Sequence, residues 1–251
     1  MSDGLTIRGR GVTMRGTLGP EEFGFVVKEN GLQGWEGLPE GRREAVQRAL
    51  SHGEFDVPVK LPARVITLDG HMIARTPFDL NRMAHQINGW GATGDRFPLV
   101  VELQGETLSS TVRCVRREAV DSGSRGGEFC TGEFQVQLLA ADPRKYAPWQ
   151  TYSASPSVWV PSRGNFPAHP VIEIPSAPTS YSVSSPGGTF SVTGAPAGGT
   201  HRIDMATGRV TRDGVWLPDA GRGDLWAVPD GTRWQHTLST PGRVLLRDTY
   251  V

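Results

Sequence analysis

The run HRIDMATGRVTRDGVW, residues 201–216, gathers two aspartates, a histidine, three arginines and a tryptophan. Brought into one cleft, Asp204 and Asp213 could divide acid and base roles between two carboxyl groups. Their local spacing argues for something simpler. Asp204 to Gly208 has the composition of a tight hairpin loop, in which aspartate bonds nearby backbone amides and glycine takes positive φ. Asp213-Gly214, set between Thr211-Arg212 and Val215-Trp216, is a two-residue hairpin signal. Each carboxylate is accounted for by its own turn, and no third group joins the two as a catalytic set. Asp142-Pro143 reads the same way: it stops the strand FQVQLLA, because proline lacks the donor that a sheet ladder needs.

Other reactive constellations fail on spacing. GSRG at 123–126 is not a Gly-x-Ser-x-Gly elbow and falls in a hairpin turn. No Gly-Lys-Ser or Gly-Lys-Thr occurs, and RGRGVTMRG lacks the third glycine and following helix of a dinucleotide site. His52, His71, His85, His169, His201 and His236 form no pair at helical or hairpin spacing, and no Asp-x-Asp run suggests calcium. The expectation is a protein without catalytic residues, cofactor or metal. Trp216, Trp226 and Trp234 are candidate glycan contacts, since jelly-roll sandwiches often hold sugars on exposed aromatics. The competing reading, preferred at this level, has them filling the core, where aromatics bury most area.

Lys+Arg and Asp+Glu each number 26, so the formal net charge is zero. That balance speaks against holding nucleic acid as the main task, which needs a basic face. MSDGLTIRGRG has no apolar signal region, and no apolar run approaches bilayer length, so a soluble protein made in the cytosol is expected. The 32 glycines and 19 prolines imply many turns, and short apolar runs between turns imply an all-β chain. Cys114 and Cys130 lie on two strand-like runs around DSGSRGG. With that hairpin centred near Ser124, Cys114 would face Phe134 and Cys130 would face Glu118, too far offset for a disulfide. Two buried free thiols are expected.

The elements that would position these residues can be read along the chain. LTIRG, VTMRGT and FGFVVKE are short strands; PEGRREAVQRAL (39–50) carries Ala45, Val46, Ala49 and Leu50 at helical spacing. ARVITLDGHMIA alternates, with a bend at Asp69-Gly70. A better specified helix follows: Thr76 caps, Pro77 takes the first position, Asp79 complements the dipole, and Leu80, Met83, Ala84 and Ile87 form the stripe before Gly89. The Ser/Pro-rich stretch after Thr151 marks a boundary. The predicted organisation is mainly β: residues 1–150 as a β-sandwich or barrel-like domain with one or two helices, 151–165 as a linker, and 166–251 as a jelly-roll β-sandwich.

The ordered motifs resemble the distal tail proteins, or minor tail proteins, of long-tailed non-contractile phages, particularly those of actinobacterial hosts. The likeness rests on Gly34-Trp35, HGEFD at 52–56, ARVITLDGHMIA leading into the Leu80 helix, Ala141-Asp142-Pro143 with Tyr146, Gly164-Asn165 before Pro170, and Ile203-Asp204 with Thr207-Gly208 ahead of a Trp-containing end. The resemblance implies a structural virion protein at the tail tip. Its first domain would form a homo-hexameric ring joining the tail tube protein to the tail tip or baseplate hub protein. Its second would be a galectin-like sandwich facing outward, in some members a platform for receptor-binding proteins. It implies no catalytic residue, no cofactor, no membrane and no sequence-specific contact with nucleic acid. Edge strands such as LTIRG or the 106–140 hairpin would meet neighbours across the ring. The alternative is a glycan-binding accessory or receptor-binding module acting through the C-terminal sandwich.

Overall fold

A computed structural model describes residues 4–20, 22–38, 40–126 and 129–251. The chain divides into two compact units, Met1–Arg144 and Lys145–Val251.

The first unit contains β1 (Thr6–Gly9), β2 (Val12–Arg15), β3 (Gly24–Gln33), β4 (Arg64–Ala74), α1 (Pro77–Gly89), β5 (Phe97–Leu103), β6 (Glu106–Gly126) and β7 (Phe129–Ala140). The strands run in the order β6-β5-β1-β2-β3-β4-β7, and pairing of β6 with β7 closes them into a seven-stranded barrel. Every pairing is antiparallel except β2 with β3. Alternation explains the closure. Along β4, Ile66, Leu68, Met72 and Ala74 are buried while the residues between them reach outward, so one face of the strand lines the interior. Asp69-Gly70 marks where β3 and β4 slip register. A Cβ on Gly70 would collide with the Val26 carbonyl and the Phe134 ring, so only glycine fits there.

Helix α1 follows its sequence signals. Thr76 accepts from the Asp79 amide, Pro77 opens the first turn, and Leu80 and Ile87 are buried. Trp90 caps the other end and donates its indole N–H to the Gly9 carbonyl at 2.9 Å. The second expected helix does not form. Among the described residues of 39–50 there is no helix; Arg42 instead pairs with Lys60, and Gln47 with Glu54. A helix of that length is marginal without a surface for its apolar face. Val46 and Leu50 have none, Leu50 being fully exposed. The segment is an extended arm that also exposes Leu38, Phe55 and Val59.

Two further expectations change. LTIRG is no free edge, because β1 has β2 on one side and β5 on the other. The long hairpin closes the barrel rather than standing apart from it. The strand pairing also runs past Ser124, where the turn was expected, as far as Gly126 opposite Phe129; 127–128 lie outside the described residues. Cys114 therefore faces Leu138, and Cys130 faces Arg125 and Ala74. Both thiols are buried and free. Eight residues along β7 separate Cys130 from Leu138, about 25 Å at strand rise. Alkylation without reductant should label both after denaturation and neither in the folded chain. A species lighter by two hydrogens that takes no label would refute this.

The second unit comprises β8 (Lys145–Tyr146), β9 (Gln150–Ala154), β10 (Ser157–Pro161), β11 (Val171–Ile174), β12 (Tyr181–Ser185), β13 (Gly188–Val192), β14 (His201–Asp204), β15 (Arg209–Arg212), β16 (Val215–Trp216), β17 (Gly221–Gly223), β18 (Arg233–Leu238), β19 (Gly242–Leu246) and β20 (Thr249–Tyr250). A five-stranded sheet, β10-β18-β12-β13-β17, and a six-stranded sheet, β16-β15-β14-β11-β19-β9, share one core. Ile172, Ile203 and Val244 from one sheet and Val183, Phe190 and Leu238 from the other belong to it. The stretch 151–165, expected as a linker, instead supplies β9 and β10, one to each sheet. Ser153 and Ser157 occupy outward strand positions while Ala154 and Val160 turn into the core, so a polar composition conceals alternation.

Candidate interaction surfaces

The run 201–216 resolves into two hairpins. Asp204 pairs with Arg209 across β14–β15. Its carboxylate accepts from the Ala206 amide at 2.8 Å, its carbonyl accepts from Gly208, and Gly208 has φ +73°. Asp213 (φ +48°) and Gly214 (φ +85°) form the turn joining β15 to β16, the left-handed pair such a turn requires. Asp213 also reaches back, accepting from the Thr200 amide at 2.8 Å. The Asp204 carboxylate is engaged in its own loop, whereas that of Asp213 ties its turn to the segment leading into β14. Asp142 takes two bonds from the Arg144 guanidinium at 2.7 and 3.0 Å, and the Pro143 carbonyl accepts from Arg64.

That last bond belongs to a feature the sequence reading missed. Arg64 opens β4 in phase with Ile66 and Leu68 and is wholly buried. Its Nε donates to the Pro143 carbonyl at 2.9 Å, and one Nη donates to the carbonyls of Gly34, Trp35 and Gly37. Burial pulls its pKa down, and the nearby Glu36 acts in the opposite sense. The motif Gly34-Trp35 thus gains a physical reason. Gly34 has φ +74° and no room for a Cβ against the Val65 carbonyl, while Trp35 is buried beside the clamp. The clamp fixes the base from which the exposed arm departs. An arginine at an inward position of a strictly alternating strand was the available signal.

Of the three candidate glycan contacts, for which the core reading was preferred, two are not surface groups. Trp226 is only 4% exposed and donates its indole N–H to His236 Nε2 at 3.1 Å. Trp234 points inward, half-buried against the same core. Trp216 is 58% exposed on the short strand β16, with the Arg209 guanidinium 5.7 Å above its ring. The structure brings Trp226 and Trp234 together around Gly187, with Trp234 on the opposite sheet from Trp216. Two exposed tryptophans the sequence reading passed over also have a guanidinium beside the ring: Arg233 5.1 Å from the Trp159 centroid, and Arg247 4.8 Å from that of Trp149.

Two buried histidines complete the inventory. His236 keeps one nitrogen as acceptor for Trp226 and turns the other toward the Trp234 carbonyl at 3.3 Å, and burial pulls its pKa down to about 4. It is therefore a neutral imidazole at pH 7. His201 lies between the Tyr181 hydroxyl and the Pro196 carbonyl, both at 3.1 Å, and burial raises the tyrosine pKa. Both histidines join core elements. Among the described residues no group of three or more His, Cys, Asp or Glu side chains could hold a metal, and no helix is long and apolar enough to cross a membrane. The barrel unit also carries a cavity of about 580 Å³ lined by Leu18, Pro20, Phe23, Ile73, Arg75 and Phe129 among others.

No protein-family model matches the chain, and no curated protein does. Solved structures do. The Dit (gp 19.1) protein of phage SPP1, described as a paradigm of the hub adsorption apparatus in phages infecting Gram-positive bacteria, superposes with a TM-score of 0.72 at 16% identity, over 98% of this chain and 99% of that one. A chain of the phage P2 baseplate in its activated conformation with calcium matches at TM-score 0.53 and 6% identity, over 97% and 98%. The strontium form gives 0.51 and 8%, again over 97% and 98%. The chain has the fold of these phage hub and baseplate proteins, through both of its units.

Proposed function

We propose that this chain is a distal tail protein, a structural component of a phage virion that joins the tail tube to the tail tip or baseplate. The observation that carries the reading is the end-to-end likeness to the SPP1 hub protein, covering 98% of one chain and 99% of the other. A match confined to the barrel or to the sandwich would have pointed to a reused module. In this reading six barrel units form the ring, and the sandwich units are outermost. Partners are five further copies, the tail tube protein, the hub protein of the tip, and receptor-binding proteins carried on the sandwich.

A ring above the dimer needs two different patches on each subunit. The arm between β3 and β4 supplies one. Val46, Leu50, Phe55 and Val59 are aliphatic or aromatic and largely in solvent, which a neighbour would correct. A second reading, a glycan-binding or receptor-binding accessory acting through the sandwich, draws on the exposed indole of Trp216.

Cryo-electron microscopy of tails carrying the protein tests the first reading. Six-fold density for the barrel, with the sandwich outside it, is expected. A double variant, Leu50→Asp with Phe55→Asp, should fold yet fail to enter the ring. Three-fold placement of the barrel, or a sandwich lining the central channel, would overturn the proposal.

A further inference from the structure

The outer face of the five-stranded sheet differs in charge from the rest of this neutral protein. None of its strands, SVWVP, RWQHTL, YSVSS, GTFSV and GRG, contains an aspartate or glutamate. Alternation fixes which side chains look outward. Val160, Val183, Phe190, His236 and Leu238 fill the core, so the other set faces solvent. Trp159, 53% exposed, stands opposite Gln235, and Thr237 lies between Ser157 and Ser184. Arg233 places its guanidinium 5.1 Å over the Trp159 ring, and Arg222, opposite Ser191, marks the far strand. The Gln235 amide is held by donation to Ser157 at 3.2 Å.

From this face we infer a binding site for an acidic saccharide chain, with Trp159 as the stacking platform and Arg233 as the contact to a carboxylate. A pyranose ring presents C–H groups on one face and hydroxyls around its rim. An indole accepts the first by dispersion and by its electron-rich face. Hydroxyl and amide groups donate to and accept from the second, and guanidinium groups donate to it. The strands carry two outward guanidinium groups and no carboxylate, Asp224 beyond β17 being bonded to the Thr189 amide, so the Trp159–Arg233 side favours a ligand of negative charge. A protein partner fits less well, because interface cores are built on apolar and aromatic side chains. Here the outward positions hold one indole and no Leu, Ile, Val or Met. The inference places sugar contact on a different sheet from Trp216 and does not depend on the ring reading.

Affinity electrophoresis of the full chain in gels containing polygalacturonate, alginate or hyaluronan provides the test, with methyl-esterified polygalacturonate as the uncharged control. Retardation is expected in at least one acidic gel and should be weaker in the ester. Trp159→Ala and Arg233→Glu should each weaken it about tenfold, because one stacking or charge-assisted contact is worth a decade in affinity. Trp216→Ala should leave it unchanged. Circular dichroism checks that the variants fold, and since both side chains are at the surface they should. No retardation in any acidic gel, or equal retardation of Trp159→Ala, overturns the inference. So does a Trp159→Ala chain that binds sugar as before but no longer joins tails, which would assign the face to a protein neighbour.

Discussion

Arg64→Met should lower the stability of the barrel unit by about 4 kcal/mol, since each buried acceptor left unpaired costs about 1–3 kcal/mol. Methionine keeps the apolar stem but strands the carbonyls of Gly34, Trp35, Gly37 and Pro143. Arg64→Lys should recover less than half of the loss. An ammonium is a compact donor and cannot serve Pro143 from one nitrogen while serving the 34–37 segment from another. The measurement is denaturant unfolding of the full chain, resolving the barrel transition by hydrogen exchange at β4. A loss under about 1 kcal/mol for Arg64→Met, the size of a single ordinary hydrogen bond, would mean that the four carbonyls find other partners and the clamp is dispensable.

The sandwich unit should lose about 3 kcal/mol between pH 6.5 and pH 4, because each unit of pKa difference is worth about 1.4 kcal/mol. The cause is His236. Its imidazole protonates near 6.5 when unfolded but only at about 4 when folded, where burial disfavours the charge. Between those values the unfolded chain holds a proton that the folded chain does not, so stability falls as pH falls. Above pH 6.5 this contribution is constant, and below about 4 no more is lost. Protonation would also remove the acceptor that the Trp226 indole uses. His236→Gln, which cannot titrate, should be weaker at pH 7 but flatter across that window. Identical slopes in wild type and variant would assign the acid sensitivity to other groups.

How much of this was legible depends on whether local signals and tertiary demands agree. At Thr76-Pro77, Asp213-Gly214 and along β4 they do: cap, turn and alternation each name their structure, and each is present. At 39–50 the helical spacing of Ala45, Val46, Ala49 and Leu50 had no surface to act on, so a weak local preference yielded to bridges with 54 and 60. At 151–161 the serines read as linker because composition was weighed above period; Ala154 and Val160 were already in phase with the core. The candidate surfaces were less legible still. Trp159, Trp216, Trp226 and Trp234 are chemically identical letters, and only pairing register separates the indoles in the core from those in solvent. Arg64 could have been found by phase. Its four carbonyl partners come from segments about 30 and 80 residues away in sequence, and no periodicity records them.

One pairing bears on how such a chain can change over time. The first strand of the second unit, Lys145–Tyr146, lies antiparallel to its last, Thr249–Tyr250, with Tyr146 opposite Thr249. The main chain therefore comes into and goes out of this unit at adjacent points. In the vocabulary of engineering, residues 145–251 are a cassette with both cut sites on one side. A different sandwich could be spliced in after Arg144 without re-threading the barrel, and further sequence could be appended past Tyr250 without crossing either sheet. Selection could then exchange residues 145–251 rapidly while the Arg64 clamp and the closed barrel stay fixed.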